Sequence, residues 1–115
     1  MQPPEMLTFD ETLIRLGHER RVIDIFKLDC EKCEWSTFRD WVGKGNIRQL
    51  ILEVHGLPSP EGPNEWHHAA ANPTALFDAL HSHGFAMYFK EPNMYGRGKC
   101  VELGYIKLRQ DFWGE

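Results

Sequence analysis

The chain has 115 residues, which is enough for one folded domain with a single hydrophobic core. Hydrophobic residues make up 42% and charged residues 26%, as in globular proteins rather than disordered or fibrous ones. The net charge is −4 and the only adjacent pair of arginines is Arg20 and Arg21, so nucleic acid and anionic membranes are not expected as partners. No apolar run reaches the roughly 18 residues of a membrane span, and the first residues do not resemble a signal peptide. The sequence therefore does not indicate a compartment.

The first part of the chain predicts a helix, a strand and a second helix. Thr8 and Glu11 have the spacing of a capping box, and apolar residues then recur at helical intervals as far as Gly17. The segment Val22 to Leu28 is rich in β-branched and apolar residues, which is typical of a strand buried on both faces of a parallel sheet. Between Glu31 and Val42 the apolar residues share one helical face, which predicts a helix directly after the strand.

The second part predicts a strand, a helix and two further strands. Ile47 to Val54 is a nearly continuous apolar strand, followed by a loop from Gly56 to Pro63. Asn72 and Pro73 are typical of a helix start, and Gly84 ends that helix. The rest of the chain predicts, in order, a strand from Phe85 to Lys90, a loop from Pro92 to Gly98, and a last strand from Val101 to Leu108 that pairs as a hairpin.

The order of these elements predicts the fold class. A strand, a helix and a strand within some thirty residues form a βαβ unit with a right-handed crossover. Two sequential strands at the end add an antiparallel pair. We therefore expect a three-layer α/β sheet, parallel at first and with an antiparallel final strand.

Four polar residues lie at or just after the carboxyl ends of the first two strands: Asp29, Glu31, Glu53 and His55. Open α/β sheets bind ligands at this edge, so we expect the four residues to form one cluster within reach of a common small ligand. An imidazole beside carboxylates is suited to act as a base near neutral pH. The alternative interpretations are helix capping for Asp29 and Glu31, a structural hydrogen bond for Glu53, and a loop-facing side chain for His55.

The three cysteines are Cys30, Cys33 and Cys100, and this odd number favours reduced thiols over a disulfide framework. The Cys-x-x-Cys spacing is also found in zinc and redox sites, but the sequence offers no second ligand pair and no proline-bearing redox framework. The site prediction therefore includes no metal. An oxygen-ligated divalent ion at Asp29, Glu53 and His55 is kept as an alternative.

Two segments carry a resemblance to a known family. The stretch from Ile25 to Trp35, IFKLDCEKCEW, resembles the Lys-Ile-Asp-x-Glu-Gly-x-Glu motif of FkbM-like class I methyltransferases. Gln49 to His55, QLILEVH, looks like the Gln-x-x-x-Glu-x-His strand of the same group, and Phe77 to Phe85 resembles its following helix and strand. The resemblance covers most of the chain from Thr8 onward.

The resemblance implies a Rossmann-like sheet of seven strands, whose last strand is antiparallel and inserted beside its neighbour. It also implies S-adenosylmethionine as the methyl donor. Residues 1–115 would correspond to the carboxyl-terminal half of the domain, without its glycine-rich cofactor loop. It implies a small hydroxyl or amine compound as methyl acceptor. By residue, we expect Asp29 and Glu31 to bind the cofactor, Glu53 and His55 to bind the substrate, and His55 and Asp29 to take part in catalysis.

The sequence departs from this family in two respects. Lys32 stands where the motif has glycine, and no Gly-x-Gly follows any predicted strand. We therefore expect the isolated chain to bind S-adenosylmethionine weakly or not at all. The alternative function is a non-catalytic module that needs a partner or an amino-terminal half. The apolar edge of the first strand, Val22 to Leu28, predicts self-association.

Overall fold

The computed structural model describes residues 6–44, 46–56, 71–92 and 100–113. Its three helices are α1 (Phe9–Leu16), α2 (Glu34–Trp41) and α3 (Pro73–Ser82). Its four strands are β1 (Val22–Leu28), β2 (Asn46–Val54), β3 (Phe85–Pro92) and β4 (Val101–Lys107), and a 3-10 turn follows at Gln110–Trp113. The two predicted loops, 56–63 and 92–98, lie outside the described residues except for Gly56 and Pro92. None of the described helices has the length and apolar character required to cross a membrane.

The four strands form one mixed sheet in the order β1-β2-β4-β3. β1 and β2 are parallel neighbours, with Leu28 opposite Leu52. β4 lies between β2 and β3 and is antiparallel to both. The structure therefore confirms the parallel start and the antiparallel final strand. This strand lies between β2 and β3, the inserted position that the family resemblance implies.

The first and third helices begin as their sequences predict. At α1 the Thr8 hydroxyl accepts a hydrogen bond from the Glu11 backbone N–H, and the Glu11 carboxylate accepts one from the Thr8 N–H, so the capping box is complete. Gly17 ends this helix at φ 70°, a left-handed conformation that glycine adopts without steric cost. At α3 the Asn72 side chain accepts from the Ala75 N–H.

The second helix begins three residues later than the sequence predicted. Glu31 and Lys32 have φ angles of 47° and 84°, so neither can belong to a right-handed helix. They form a left-handed turn between β1 and α2, and the helix begins at Glu34. The expected helical start at Glu31 is therefore wrong because the chain must turn sharply after the strand.

The core lies on one face of the sheet, where the helices pack. Side chains of α2 and α3 meet those of β2 and β4, and the members of this core are Trp35, Phe38, Trp41, Val42, Ile47, Leu50, Leu52, Val54, Leu76, Leu80, Phe85, Val101, Leu103 and Tyr105. α1 joins the same face, since the Phe26 ring of β1 contacts Phe9 of α1 and, edge-on, Trp41 of α2. Burial of these side chains is the main stabilising contribution to the fold.

The described helices pack on one face of the sheet, and the expected third layer stays a prediction. One expectation about β1 is wrong. β1 is not buried on both faces: Val22 is 48% and Ile25 is 56% exposed. The physical reason is that, among the described elements, β1 has one neighbouring strand and a helical layer on one side only.

Candidate functional site at the carboxyl edge of the sheet

The strand order brings three chain segments to one edge. Asp29 follows the last residue of β1 and His55 follows the last residue of β2. Because these strands are parallel neighbours, both residues emerge at the same edge. β4 runs the opposite way and pairs Val101 with Val54, so Cys100, which precedes it, lies at this edge too.

His55 lies at the centre of this edge cluster and is largely buried. Its Nε2 is 3.4 Å from Asp29 Oδ1 and 3.6 Å from Glu53 Oε1. Its Nδ1 is 3.1 Å from Glu34 Oε1. The imidazole therefore has carboxylates at both nitrogens: the buried Glu34 at Nδ1, and Asp29 and Glu53 at Nε2.

Glu34 fixes the position of His55. Its side chain is completely buried, and Oε1 accepts a hydrogen bond of 2.5 Å from the His55 backbone N–H as well as contacting the ring. The next residue, Trp35, donates its indole N–H to the His55 carbonyl oxygen at 2.8 Å. The first turn of α2 thus holds both the main chain and the side chain of His55. If Nδ1 carries the proton of the neutral ring, it donates to Glu34 and leaves Nε2 as the nitrogen that can accept a proton.

The structure brings together three of the four residues that the sequence predicted. Asp29 and Glu53 both contact His55, as their strand positions required. Glu31 is exposed in the left-handed turn, and among the described residues it makes no ion pair with His55. The roles assigned to the four residues remain predictions.

Sequence reasoning missed two members of the cluster, Glu34 and Cys100. Glu34 occupies the last acidic position of the Lys-Ile-Asp-x-Glu-Gly-x-Glu motif, and it lies among the apolar residues of the buried helix face, so two signals pointed to it. Cys100 had one signal, its place directly before an antiparallel strand. That signal is informative only once β4 is known to pair with β2.

The oxidation state of two cysteines differs from the one expected from the sequence. Cys30 and Cys33 form a disulfide, with their Cα atoms 5.3 Å apart, and Cys100 is the free thiol. The expectation of reduced thiols is therefore wrong for this pair, because the turn at Glu31 and Lys32 brings two cysteines of i, i+3 spacing within bonding distance. The sulfur of Cys30 lies 3.8 Å from Glu34 Oε2, so the disulfide borders the edge cluster.

The electrostatics of the edge cluster are dominated by negative charge. Burial raises the pKa of the Cys100 thiol, and the carboxylates of Glu53, Glu34 and Asp29 raise it further, while a hydrogen bond from the Gly56 main chain acts in the opposite direction. Ligand atoms of Glu53, His55 and Cys100 all lie within 4.8 Å of one another. Three carboxylates thus surround one imidazole and one thiol.

Comparisons with known proteins address the family and not the individual site. No curated protein and no solved structure gives a match. A family model described as a methyltransferase domain matches residues 1–107, which is nearly the whole chain and includes every member of the edge cluster. The chain belongs to this methyltransferase domain family.

Proposed function

We propose that this chain forms the acceptor side of an S-adenosylmethionine-dependent methyltransferase, and that the edge cluster binds a small hydroxyl or amine acceptor. The observation that carries the proposal is the His55 imidazole between Asp29, Glu34 and Glu53 at the carboxyl edge of the sheet. Membership in a methyltransferase family supports the reaction class. The partly exposed Asp29 supports access for a ligand, since its side chain is 50% exposed.

We further propose that the chain is an FkbM-like member with a Rossmann-like methyltransferase sheet, of which it supplies the carboxyl-terminal half. An antiparallel strand inserted between two parallel strands supports this assignment, as it matches the ending expected from that group. The two motif segments also support it, because they contribute Asp29, Glu34, Glu53 and His55 to one cluster.

The fit of the described residues to S-adenosylmethionine is partial. Asp29 and Glu31 offer carboxylate oxygens beside the end of β1, where a cofactor of this fold would lie. The turn that follows β1 contains Lys32 in a left-handed conformation rather than a run of glycines. The described residues thus offer carboxylates that could bind the cofactor. They do not include a glycine-rich loop whose backbone could lie close to it.

His55 is the group proposed to act on the acceptor. S-adenosylmethionine, when bound, would supply an electrophilic methyl group, whose bond to the sulfonium sulfur breaks to leave a neutral thioether. Nε2 accepts the hydrogen bond of the acceptor hydroxyl or amine and takes its proton as the new bond to carbon forms. Glu34 holds the ring from behind and stabilises the imidazolium that results, while Asp29 and Glu53 orient the acceptor.

Turnover of a protein that carries both this segment and a cofactor-binding half tests the proposal. His55→Ala should lower kcat about 10²- to 10⁴-fold, the usual contribution of general base catalysis, and leave S-adenosylmethionine affinity unchanged. His81→Ala, at an exposed position near the end of α3, is the matched control. Undiminished turnover of the His55 variant would remove the role assigned to His55.

Calorimetric titration of the chain itself tests the assignment as the acceptor half. We expect S-adenosylmethionine to bind more weakly than the micromolar range, because burial of the adenosine depends on loops beyond the acceptor side. Micromolar or tighter binding by the chain alone would contradict this assignment.

A second candidate function is a non-catalytic module that acts through association. The exposed Val22 and Ile25 on the edge strand β1 favour this candidate, since an unpaired apolar edge can pair with another strand. Sedimentation velocity should then show self-association that increases with concentration. Val22→Lys, which adds charge at this edge, should reduce it, and a monomer at high concentration would contradict this candidate.

A further inference from the structure

The donor atoms of the edge cluster are suited to a metal ion. Glu53, His55 and Cys100 each offer one ligand atom within 4.8 Å of the others, and Asp29 Oδ1 is 3.4 Å from His55 Nε2. Carboxylate, imidazole and thiolate are the donors that zinc accepts, whereas magnesium and calcium prefer oxygen alone. We propose that Glu53, His55 and Cys100 bind a divalent transition metal ion of the zinc class, with Asp29 facing the fourth coordination position.

The distances support a tetrahedral site. At zinc to ligand distances near 2.0 to 2.3 Å, neighbouring donors of a tetrahedron lie about 3.3 to 3.6 Å apart. The separations of His55 Nε2 from Asp29 Oδ1 and from Glu53 Oε1, 3.4 and 3.6 Å, are in this range. Cys100, within 4.8 Å, needs a movement of about 1 Å, which a side-chain rotation supplies.

Glu34 provides the second support for this site. Histidine ligands of metals typically donate their other ring N–H to a carboxylate, which fixes the tautomer and the ring orientation. The buried Glu34 carboxylate occupies this position at Nδ1, 3.1 Å away, and directs Nε2 toward Asp29 and Glu53. A ligand histidine is thus already oriented by the fold.

Charge is the third support. The cluster combines the carboxylates of Asp29, Glu34 and Glu53 with one imidazole, and Glu34 is fully buried. A divalent cation that replaces the thiol proton of Cys100 would neutralise much of this negative charge. An ion at Nε2 excludes a proton from that atom, so the metal-loaded form would not use His55 as the base proposed for methyl transfer, and the two roles of Nε2 belong to different forms of the protein.

Cobalt(II) is the probe that distinguishes these donors. The whole chain, freed of metal by a chelator and kept without reductant, should bind one Co²⁺ and show both a thiolate-to-cobalt charge-transfer band and the visible bands of tetrahedral cobalt. Zn²⁺ should abolish both. With Cys30 and Cys33 joined in the disulfide, the charge-transfer band reports on Cys100. Because neither S-adenosylmethionine nor acceptor is present, failure here is separate from failure of the proposed function.

Variants identify the ligands. Cys100→Ser should lose the charge-transfer band, and Glu34→Gln, which removes the charge behind His55, should weaken Co²⁺ affinity about 10- to 100-fold. The matched control is Cys30→Ser combined with Cys33→Ser, which removes the other two cysteines and should retain the band. Far-ultraviolet circular dichroism establishes that each variant is folded.

Three outcomes would overturn the proposal: no charge-transfer band with the unaltered chain, a band that persists in Cys100→Ser, or a band that is lost in the Cys30 and Cys33 double variant alone. If Cys100→Ser does not fold, alkylation of the unaltered chain tests whether Cys100 is a ligand. Zn²⁺ should then slow the reaction of Cys100 with iodoacetamide at least tenfold, and an unchanged rate would contradict the site.

Discussion

The starts of α1 and α2 follow different rules. α1 begins with a reciprocal capping box between Thr8 and Glu11, which satisfies two main-chain N–H groups. The N-cap residue of α2 is Cys33, whose side chain makes no capping hydrogen bond, and it follows Glu31 and Lys32 in left-handed conformations. The N-terminus of α1 is therefore stabilised by capping hydrogen bonds, whereas the N-terminus of α2 lacks a side-chain cap.

The difference coincides with the position of the edge cluster. The first residue of α2 is Glu34, and its carboxylate reaches His55 at the end of β2. If the turn before α2 had no left-handed residues, the helix would begin at a different position. The Glu34 carboxylate would then lie away from His55. Strained backbone that persists beside a polar cluster supports a functional role for that cluster.

The largest effect is expected at the start of α2. Glu34→Ala leaves the His55 backbone N–H without its buried acceptor and leaves a cavity, and these losses should lower the free energy of unfolding by about 2 to 4 kcal/mol. Urea denaturation measures this difference. Glu31→Ala, three residues earlier and exposed, should change stability by no more than about 0.5 kcal/mol.

An effect below about 0.5 kcal/mol at Glu34 would reverse the interpretation of the α2 start. The buried carboxylate would then cost as much in desolvation as its hydrogen bonds contribute, as happens with some buried ion pairs. The turn before α2 could not be explained by the need to place Glu34.

A smaller effect is expected at the start of α1. Thr8→Ala removes the hydroxyl that accepts from the Glu11 N–H, and should lower the free energy of unfolding by about 1 kcal/mol. Thr8→Asn, which keeps an acceptor at the same position, should recover most of the loss in the same denaturation experiment. A loss equal to that of Glu34→Ala would contradict the contrast between the two helix starts.

The sequence predicted the fold well where local rules decide the structure. Thr8, Gly17 and Asn72 occupy the cap positions expected of them, because capping depends on a few neighbouring residues. The parallel pairing of β1 with β2 followed from the helix between them, since a βαβ crossover requires it.

The sequence was less informative where contacts between distant segments determine the burial or position of a residue. The exposed face of Ile25 depends on which helices cover the sheet, and Cys100 joins the cluster only because β4 is inserted beside β2. Glu34 was missed for another reason. Its buried carboxylate contradicts the usual preference of charged residues for the surface, and only its partner His55, 21 positions later in the chain, explains its burial.

A gain in stability is expected in the turn before α2. Lys32 has φ 84°, where residues with a side chain are disfavoured by about 1 to 2 kcal/mol and glycine is not. Lys32→Gly should therefore stabilise the fold by about 0.5 to 1 kcal/mol after the greater flexibility of glycine in the unfolded chain is included. Lys27→Gly, the same change inside β1, should destabilise the protein, and a loss of stability at both positions would show that Lys32 is not strained.

The smallest effect concerns the link between the two helices. The Asp40 carboxylate of α2 accepts a hydrogen bond of 3.0 Å from the Phe9 N–H at the start of α1, and Lys44 lies 3.1 Å away. The Phe9 hydrogen bond, followed by the one from Lys44, lowers the pKa of Asp40 from its ordinary value of 3.8. Since the folded pKa is the lower one, this contribution is complete well above pH 3.8 and is lost as the pH falls through the folded pKa.

Asp40→Asn should therefore cost a few tenths of a kcal/mol at pH 7, and the difference from the unaltered chain should shrink as the pH falls below 3.8 and through the folded pKa. Urea denaturation at a series of pH values measures this difference. Lys44→Met separates the two causes, because it removes the ion pair and keeps the Phe9 hydrogen bond, so most of the pH dependence should remain. If Lys44→Met abolishes the pH dependence instead, the charge of Lys44, rather than the main-chain N–H of Phe9, would be what ties Asp40 to the start of α1.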